Sequence, residues 1–239
     1  MLRTKIMTLE IKHMNRFFMI GCLLGLLSFG ACSGDDPQLE DTPPSEENNG
    51  GNDNGTVSPD VTNEDILIVY FSRAGENWEV GYVDRGNTAV MADYIQEYTG
   101  AATFEIVPEV PYPTDYATML QVSQQERDTD ARPAIKNPLE NLEQYSIVFI
   151  GSPIWYGGPP MIMQTFYETY PALAEKTIVP FGTHGGSGIG SCASLIREYF
   201  PDATLLESLG IPGNRIRDNQ SRSQVQTWLQ RIGVIKTDS

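Results

Sequence analysis

The 239 residues carry 16 Lys+Arg against 31 Asp+Glu, a formal net charge of −15, with 40% hydrophobic and 10% aromatic side chains. That apolar share supplies a core and excludes a chain disordered throughout. The acidic balance excludes a nucleic-acid binder, which needs clustered Lys/Arg, and only 3 Cys exclude a disulfide scaffold. Two His leave little material for a histidine-rich metal site.

The charge divides the chain into three segments. Residues 1–32 hold four bases against the single acid Glu10, and residues 33–65 hold ten acids and no base; 12 bases and 20 acids remain for the rest. Phe17 to Phe29 is an uncharged apolar run just after Lys12 and Arg16. It is short for a membrane span and right for the apolar core of a secretory signal. Gly30 and Ala31 then precede Cys32, an arrangement that resembles the lipobox of bacterial lipoproteins, with Phe29 in place of the more usual Leu. Residues 1–31 are thus expected to be a lipoprotein signal peptide and Cys32 the lipidated residue, which implies a membrane-anchored protein of the cell envelope. Met14 offers a tighter start. With Cys22 removed and Cys32 lipidated, only Cys192 is left as a thiol. Residues 32–64 are rich in Asp, Glu, Pro, Asn and Gly and read as a flexible acidic linker, because they cannot offset their ordering entropy by burial.

From residue 65 the pattern becomes that of one folded domain running to 239. Residues 66–71 (ILIVYF) form a β-branched and aromatic run, as in a strand buried on both faces. Residues 88–98 have apolar side chains at helical spacing and stop at Gly100. A strand over 103–107 and a helix over 116–127 follow, then a buried strand over 146–152 and a helix over 161–170. Strand 177–183, helix 192–200, strand 203–211 and helix 223–232 complete the series. Five strands alternating with five helices predict an α/β domain, a doubly wound five-stranded parallel sheet with helices on both faces. Ligands of such sheets lie beyond the carboxyl ends of the strands, at the point where strand order reverses.

Three loops at strand carboxyl ends are unusual. After the first strand come Ser72, Arg73, Ala74 and Gly75, and later Gly86-Asn87-Thr88 directly before a helix. Free main-chain N–H groups at a helix start suit a phosphate, although Asn87 or Thr88 also suits ordinary N-capping. It is neither a Walker loop nor a dinucleotide-binding glycine loop. After the third strand comes Pro153-Ile154-Trp155-Tyr156-Gly157-Gly158, whose paired aromatics suit stacking on a flat ring or packing onto a core. After the fourth come Thr183, His184, Gly185, Gly186 and Gly188, a donor-rich backbone able to wrap a ligand edge or simply turn.

Together these stretches resemble the flavodoxin-like family, and in particular its extended bacterial branch. The resemblance rests on Tyr70-Phe71-Ser72-Arg73-Ala74-Gly75-Glu76-Asn77, the returning Gly86-Asn87-Thr88, the stretches 152–160 and 181–190, and Ala131-Arg132-Pro133. It covers about residues 65–233. It implies FMN as cofactor, with Ser72, Asn87, Thr88 and the Gly86 backbone holding the phosphate. Trp155 and Tyr156 would flank the isoalloxazine, with a Gly157 carbonyl or N–H near its reactive nitrogen. Thr183, His184, Gly185 and Gly186 would line the pyrimidine side, and Arg73, Ala74, Pro153, Ile154 and Gly188 complete the expected contacts. The insert 76–85 departs from compact flavodoxins, and its Trp78 or Tyr82 is placed to cover the ring.

The cofactor carries the chemistry, so no catalytic side chain is required. His184 is the one candidate proton donor, with a plain loop hydrogen bond as the alternative, and Cys192 reads as a packing residue. The expected function is electron transfer or small flavin-dependent oxidoreduction. The partner is a redox protein or a quinone-like acceptor, with NAD(P)H able to dock only on the flavin face. A flavodoxin-fold binding module that has lost flavin chemistry is the alternative. A lipid-anchored hydrolase lacks its nucleophile elbow.

Overall fold

Every residue of Ile66–Tyr70 is buried, and the reason is its central place: this strand, β1, has a parallel neighbour on each side. The computed structural model describes residues 62–237; the signal segment, Cys32 and the rest of the acidic linker up to residue 61 lie outside the described residues. A short 3-10 turn, Asn63–Asp65, leads into β1, closed by Thr62 donating through its main-chain N–H and its hydroxyl to the Asp65 carboxylate at 2.9 and 2.8 Å.

In chain order there follow β2 (Gly75–Asn77), β3 (Gly81–Val83), α1 (Asn87–Thr99), β4 (Ala102–Glu105) and α2 (Tyr116–Asp128). Then come β5 (Ile147–Pro153), α3 (Met161–Thr169), β6 (Thr177–His184), α4 (Cys192–Tyr199), β7 (Thr204–Leu205), β8 (Leu209–Pro212) and α5 (Asn219–Arg231). The main sheet runs β4-β1-β5-β6, all parallel, with β7 and β8 both paired to β6. The alternating fold of strands and helices is that expected from the hydrophobic pattern.

Two details differ from expectation. The single strand expected over 203–211 is two short strands, which pair with β6 at Thr177–Ile178 and at Phe181–His184. Between them the Glu207 carbonyl accepts the indole N–H of Trp228 at 2.9 Å. Trp228 is fully buried, and its one polar atom needs an acceptor more than the sheet needs one more ladder bond. The insert between β1 and α1 is the antiparallel hairpin β2–β3.

Alternate residues of each strand feed two cores, as the two-residue period of a strand requires. Ile66, Ile68 and Tyr70 pack with Phe149 and Phe181 under α1 and α5, whose Met91, Ile95, Val225 and Trp228 cover them. Leu67, Val69 and Phe71 pack with Val148 and Ile150 under α3 and α4, through Ile162, Phe166, Tyr167 and Ile196. After β1 the chain moves to β4 on one side, then crosses back to β5 on the other. The reversal lies between β1 and β5, so their carboxyl ends open a crevice. No helix among the described residues is long and apolar enough to cross a membrane.

Candidate functional site

A cavity of about 430 Å³ opens at that crevice, within the usual range of small-molecule sites. Of the residues singled out in the sequence, Asn87, Pro153, Ile154, Trp155, Tyr156, Gly157, Thr183, His184 and Gly185 line it. Ser72, Gly86 and Thr88 lie beside it at the start of α1. Arg73, Ala74, Gly186 and Gly188 are not part of the lining.

The start of α1 is built by a side chain from across the insert. The Ser72 hydroxyl accepts the Ala89 N–H at 3.0 Å, and Val90 N–H bonds the Gly86 carbonyl at 3.2 Å. Among the described residues, the Asn87 and Thr88 N–H groups have no protein acceptor, the normal condition of a first helical turn and a natural anion seat. Glycine is required at 86, because a Cβ there would lie 2.2 Å from the Ser72 hydroxyl oxygen. The Thr88 hydroxyl is turned inward to that of Thr183, 2.8 Å away and equally buried. It ties α1 to β6 and leaves the Thr88 backbone N–H as its free group.

Arg73 departs from its expected role. Its guanidinium donates to the carbonyls of Pro113 at 2.7 Å, Thr114 at 3.2 Å and Glu76, and its side chain is buried. It clamps the base of the β2–β3 hairpin to the segment before α2, together with Glu76 N–H on the Thr114 carbonyl at 2.8 Å. Burial lowers its pKa, offset by Tyr116, Glu76 and Asp115; an arginine stays charged regardless. Ala74 is exposed.

The second loop is a two-residue turn. Trp155 and Gly158 exchange main-chain hydrogen bonds at 2.8 and 3.1 Å, and the residues between them, Tyr156 (φ 51°) and Gly157 (φ 79°), are both left-handed. Two positive φ values make it a type I′ turn. Tyr156 tolerates that conformation because its tip is tied down: its hydroxyl donates to the Leu120 carbonyl at 3.0 Å, and the Arg127 guanidinium lies 4.7 Å from its ring centre. Strained non-glycine residues of this kind cluster at ligand sites. The Gly157 carbonyl accepts the Ser191 N–H at 2.9 Å, so its N–H is the group it can offer a ligand. Trp155 meets Phe71 and Tyr112 edge-on, with ring centres 5.8 and 5.2 Å apart.

In the third loop, His184 Nδ1 accepts the Gly186 N–H at 2.9 Å. Burial lowers the pKa of this imidazole, against a smaller opposing effect of the Gly210 backbone. A neutral ring with Nδ1 committed does not release a proton at neutral pH, so His184 is a loop-organising residue. Cys192 is buried at the start of α4, its thiol pushed up to about 12 by burial, partly offset by Ser152. An inert packing thiol fits that environment.

The cavity also has walls that the sequence did not single out. Tyr116, Met119 and Leu120, from the first turns of α2, line it, as does Gly213 beyond β8. No motif marks them, since an amphipathic helix start looks alike whether it faces a core or a ligand. The insert supplies Trp78, which sits 6.1 Å from the Tyr116 ring and passes close over Gly185, where a Cβ would fall 2.9 Å from its Cδ1. Tyr82 is 63% exposed and is not in the lining; of the two candidate covers, Trp78 is the one at the cavity.

A family model described as Flavodoxin matches residues 65–232. Among solved structures, a putative flavoprotein from Bacteroides eggerthii is 33% identical, covering 71% of this chain and 98% of its own, with a TM-score of 0.57. A putative flavoprotein from Bacteroides uniformis is 28% identical over 69% of this chain and 97% of its own, with a TM-score of 0.54. A flavoprotein from Lactobacillus acidophilus, solved in complex with FMN, shares the fold at 20% identity, over 69% of this chain and 98% of its own, with a TM-score of 0.50. No curated protein matches the chain.

Proposed function

The chain belongs to the flavodoxin family, and we propose that it is an FMN-dependent redox protein. One observation carries this reading. A single cavity has unpartnered N–H groups of a helix start at one part of its rim and four aromatic side chains, Trp78, Tyr116, Trp155 and Tyr156, elsewhere in its walls. A phosphate-bearing flat ring system needs both.

When bound, FMN would supply one- and two-electron transfer. The Asn87 and Thr88 N–H groups, the Asn87 side-chain amide and the Ser72 hydroxyl would hold the phosphate. Trp155, braced by Phe71 and Tyr112, would fix the plane of the ring. The Gly157 N–H would bond the ring edge. Trp78 and Tyr116 would keep water from it. Acids of the insert near the site, Glu76 on the Tyr116 N–H and Glu79 on the Asn214 amide, would disfavour added negative charge and lower the potential of the bound flavin.

Electron exchange would be with a redox protein or a small quinone-like acceptor, and NAD(P)H would have to approach the ring through the cavity mouth. The lipobox-like Cys32 would place the domain at the cell envelope on a lipid anchor, with the acidic segment as its tether. The purified chain should be yellow, or become so with added FMN, with its flavin fluorescence quenched by the neighbouring indoles. Anaerobic mixing with NADH or NADPH then separates an enzyme, which bleaches, from a carrier, which does not. A colourless protein that takes up no FMN would favour a binding module without flavin and sink the proposal.

A further inference from the structure

Asn87 is 8% exposed, lines the cavity, and has both ends of its amide defined by neighbours. Arg217, 130 residues later in the loop between β8 and α5, donates from one terminal nitrogen to Asn87 Oδ1 at 2.6 Å. Its other terminal nitrogen donates to the Arg85 carbonyl at 2.6 Å. A guanidinium has no acceptor, so the amide atom facing it can only be the oxygen. The Asn87 Nδ2 is thereby turned to the other side, beside Gly213, where a Cβ would fall 2.8 Å from it. No hydrogen-bond acceptor meets that Nδ2 among the described residues.

The charges nearby sharpen the point. Arg85 is neutralised by a two-pronged pair with Asp93, at 2.6 and 2.5 Å. Arg217 makes no such pair among the described residues. A cation without a carboxylate, at the positive end of α1, polarises the amide that carries the free donor. A dianionic ligand group is what would balance the three together.

We propose that Arg217 is a positioning residue for a phosphate monoester: it orients and charges Asn87 so that the site selects a phosphorylated flavin over the same flavin without phosphate. This rests on the FMN reading and assigns its phosphate selectivity to a loop outside the motifs that carry the family resemblance. The other helix-start donors serve any anion; the Arg217–Asn87 pair decides how strongly the phosphate is preferred.

The test is a fluorescence titration of the purified chain with FMN and, separately, riboflavin. Arg217→Gln should lower FMN affinity about tenfold, the effect of losing one charge-assisted contact, and leave riboflavin affinity unchanged. Arg217→Lys keeps the charge but not the fork, and should recover part of the loss. Asn87→Asp keeps an acceptor for Arg217 and puts an oxygen where Nδ2 was; it should lose FMN affinity while riboflavin binds as before. An equal loss for both flavins in Arg217→Gln, or an unchanged ratio, overturns the inference and leaves the FMN reading standing. An unsubstituted chain that binds neither flavin overturns both.

Discussion

Two tryptophans line the same cavity and are held in opposite ways. Trp155 sits at the end of β5, half-buried, with its ring edge-on to Phe71 and Tyr112. Trp78 sits at the tip of a two-stranded hairpin, 58% exposed, in contact with Tyr116 and the Gly185 backbone. One is an extension of the core into the site; the other is carried to the site by an insert clamped at its base through Arg73 and Glu76 and held at its tip by the Asn214 amide donating to the Glu79 carboxylate at 3.4 Å. An isolated two-stranded hairpin is marginal on its own, so the clamp at its base and the contacts of its tip with Asn214 and Tyr116 keep Trp78 near the cavity. The difference separates a fixed wall, which sets ring orientation, from a wall able to move with the ligand.

Trp155→Ala should produce the largest effect, because it empties volume against two core aromatics as well as removing a stacking surface. Unfolding stability should fall by about 3 kcal/mol and FMN binding by about 1–3 kcal/mol, read by urea titration and flavin fluorescence. A change in binding with stability untouched would break the distinction between the two walls.

Gly86→Ala tests whether the phosphate end belongs to the fixed half. The added Cβ would meet the Ser72 hydroxyl oxygen at 2.2 Å and the Arg73 carbonyl oxygen at 2.6 Å, so the start of α1 must shift. A stability loss of about 1–3 kcal/mol is expected, together with weaker FMN binding. Unchanged melting and binding would mean that this turn yields easily.

Trp78→Ala should leave stability within about 0.5 kcal/mol and weaken FMN binding by about 0.5–1.5 kcal/mol. Its clearer signature is access: iodide should quench the bound flavin more readily than in the unsubstituted protein. Equal quenching in both would remove Trp78 from the ring.

The smallest effect concerns His184, the only histidine in the described residues. Its folded pKa is lowered by burial below the ordinary 6.5, so the unfolded chain binds the proton first as pH falls. Its neutral form therefore contributes stability that is present above about pH 6.5 and declines as pH falls through and below that value. His184→Gln should flatten the slope of stability between pH 7 and pH 5.5. An identical slope would mean that the imidazole gains its proton without cost.

The residues from 66 to 231 show which parts of this molecule are local. Ile66–Tyr70 and Ile147–Pro153 are strands because their apolar runs can be satisfied only between neighbours, and Gly100 ends α1 because its φ of 69° suits glycine. The three loops at the strand ends were visible for the same reason: glycines, prolines and aromatics out of helical or strand period announce a site. Tyr116, Met119 and Leu120 were not visible, since α2 shows the pattern of any amphipathic helix.

By itself, then, the sequence determined the alternation of the main strands and helices and most residues along the rim of the crevice, though not the β2–β3 hairpin or the split of the last strand, because hydrophobic period and turn chemistry act over a few residues. Tertiary structure alone decided the commitments of the polar groups. Arg73 spends its guanidinium on carbonyls 40 residues away, the Trp228 indole interrupts the last strand 21 residues before it, and Arg217 turns the Asn87 amide from 130 residues away. A hydrogen bond joins atoms that meet in space, and which atoms meet is a property of the folded chain.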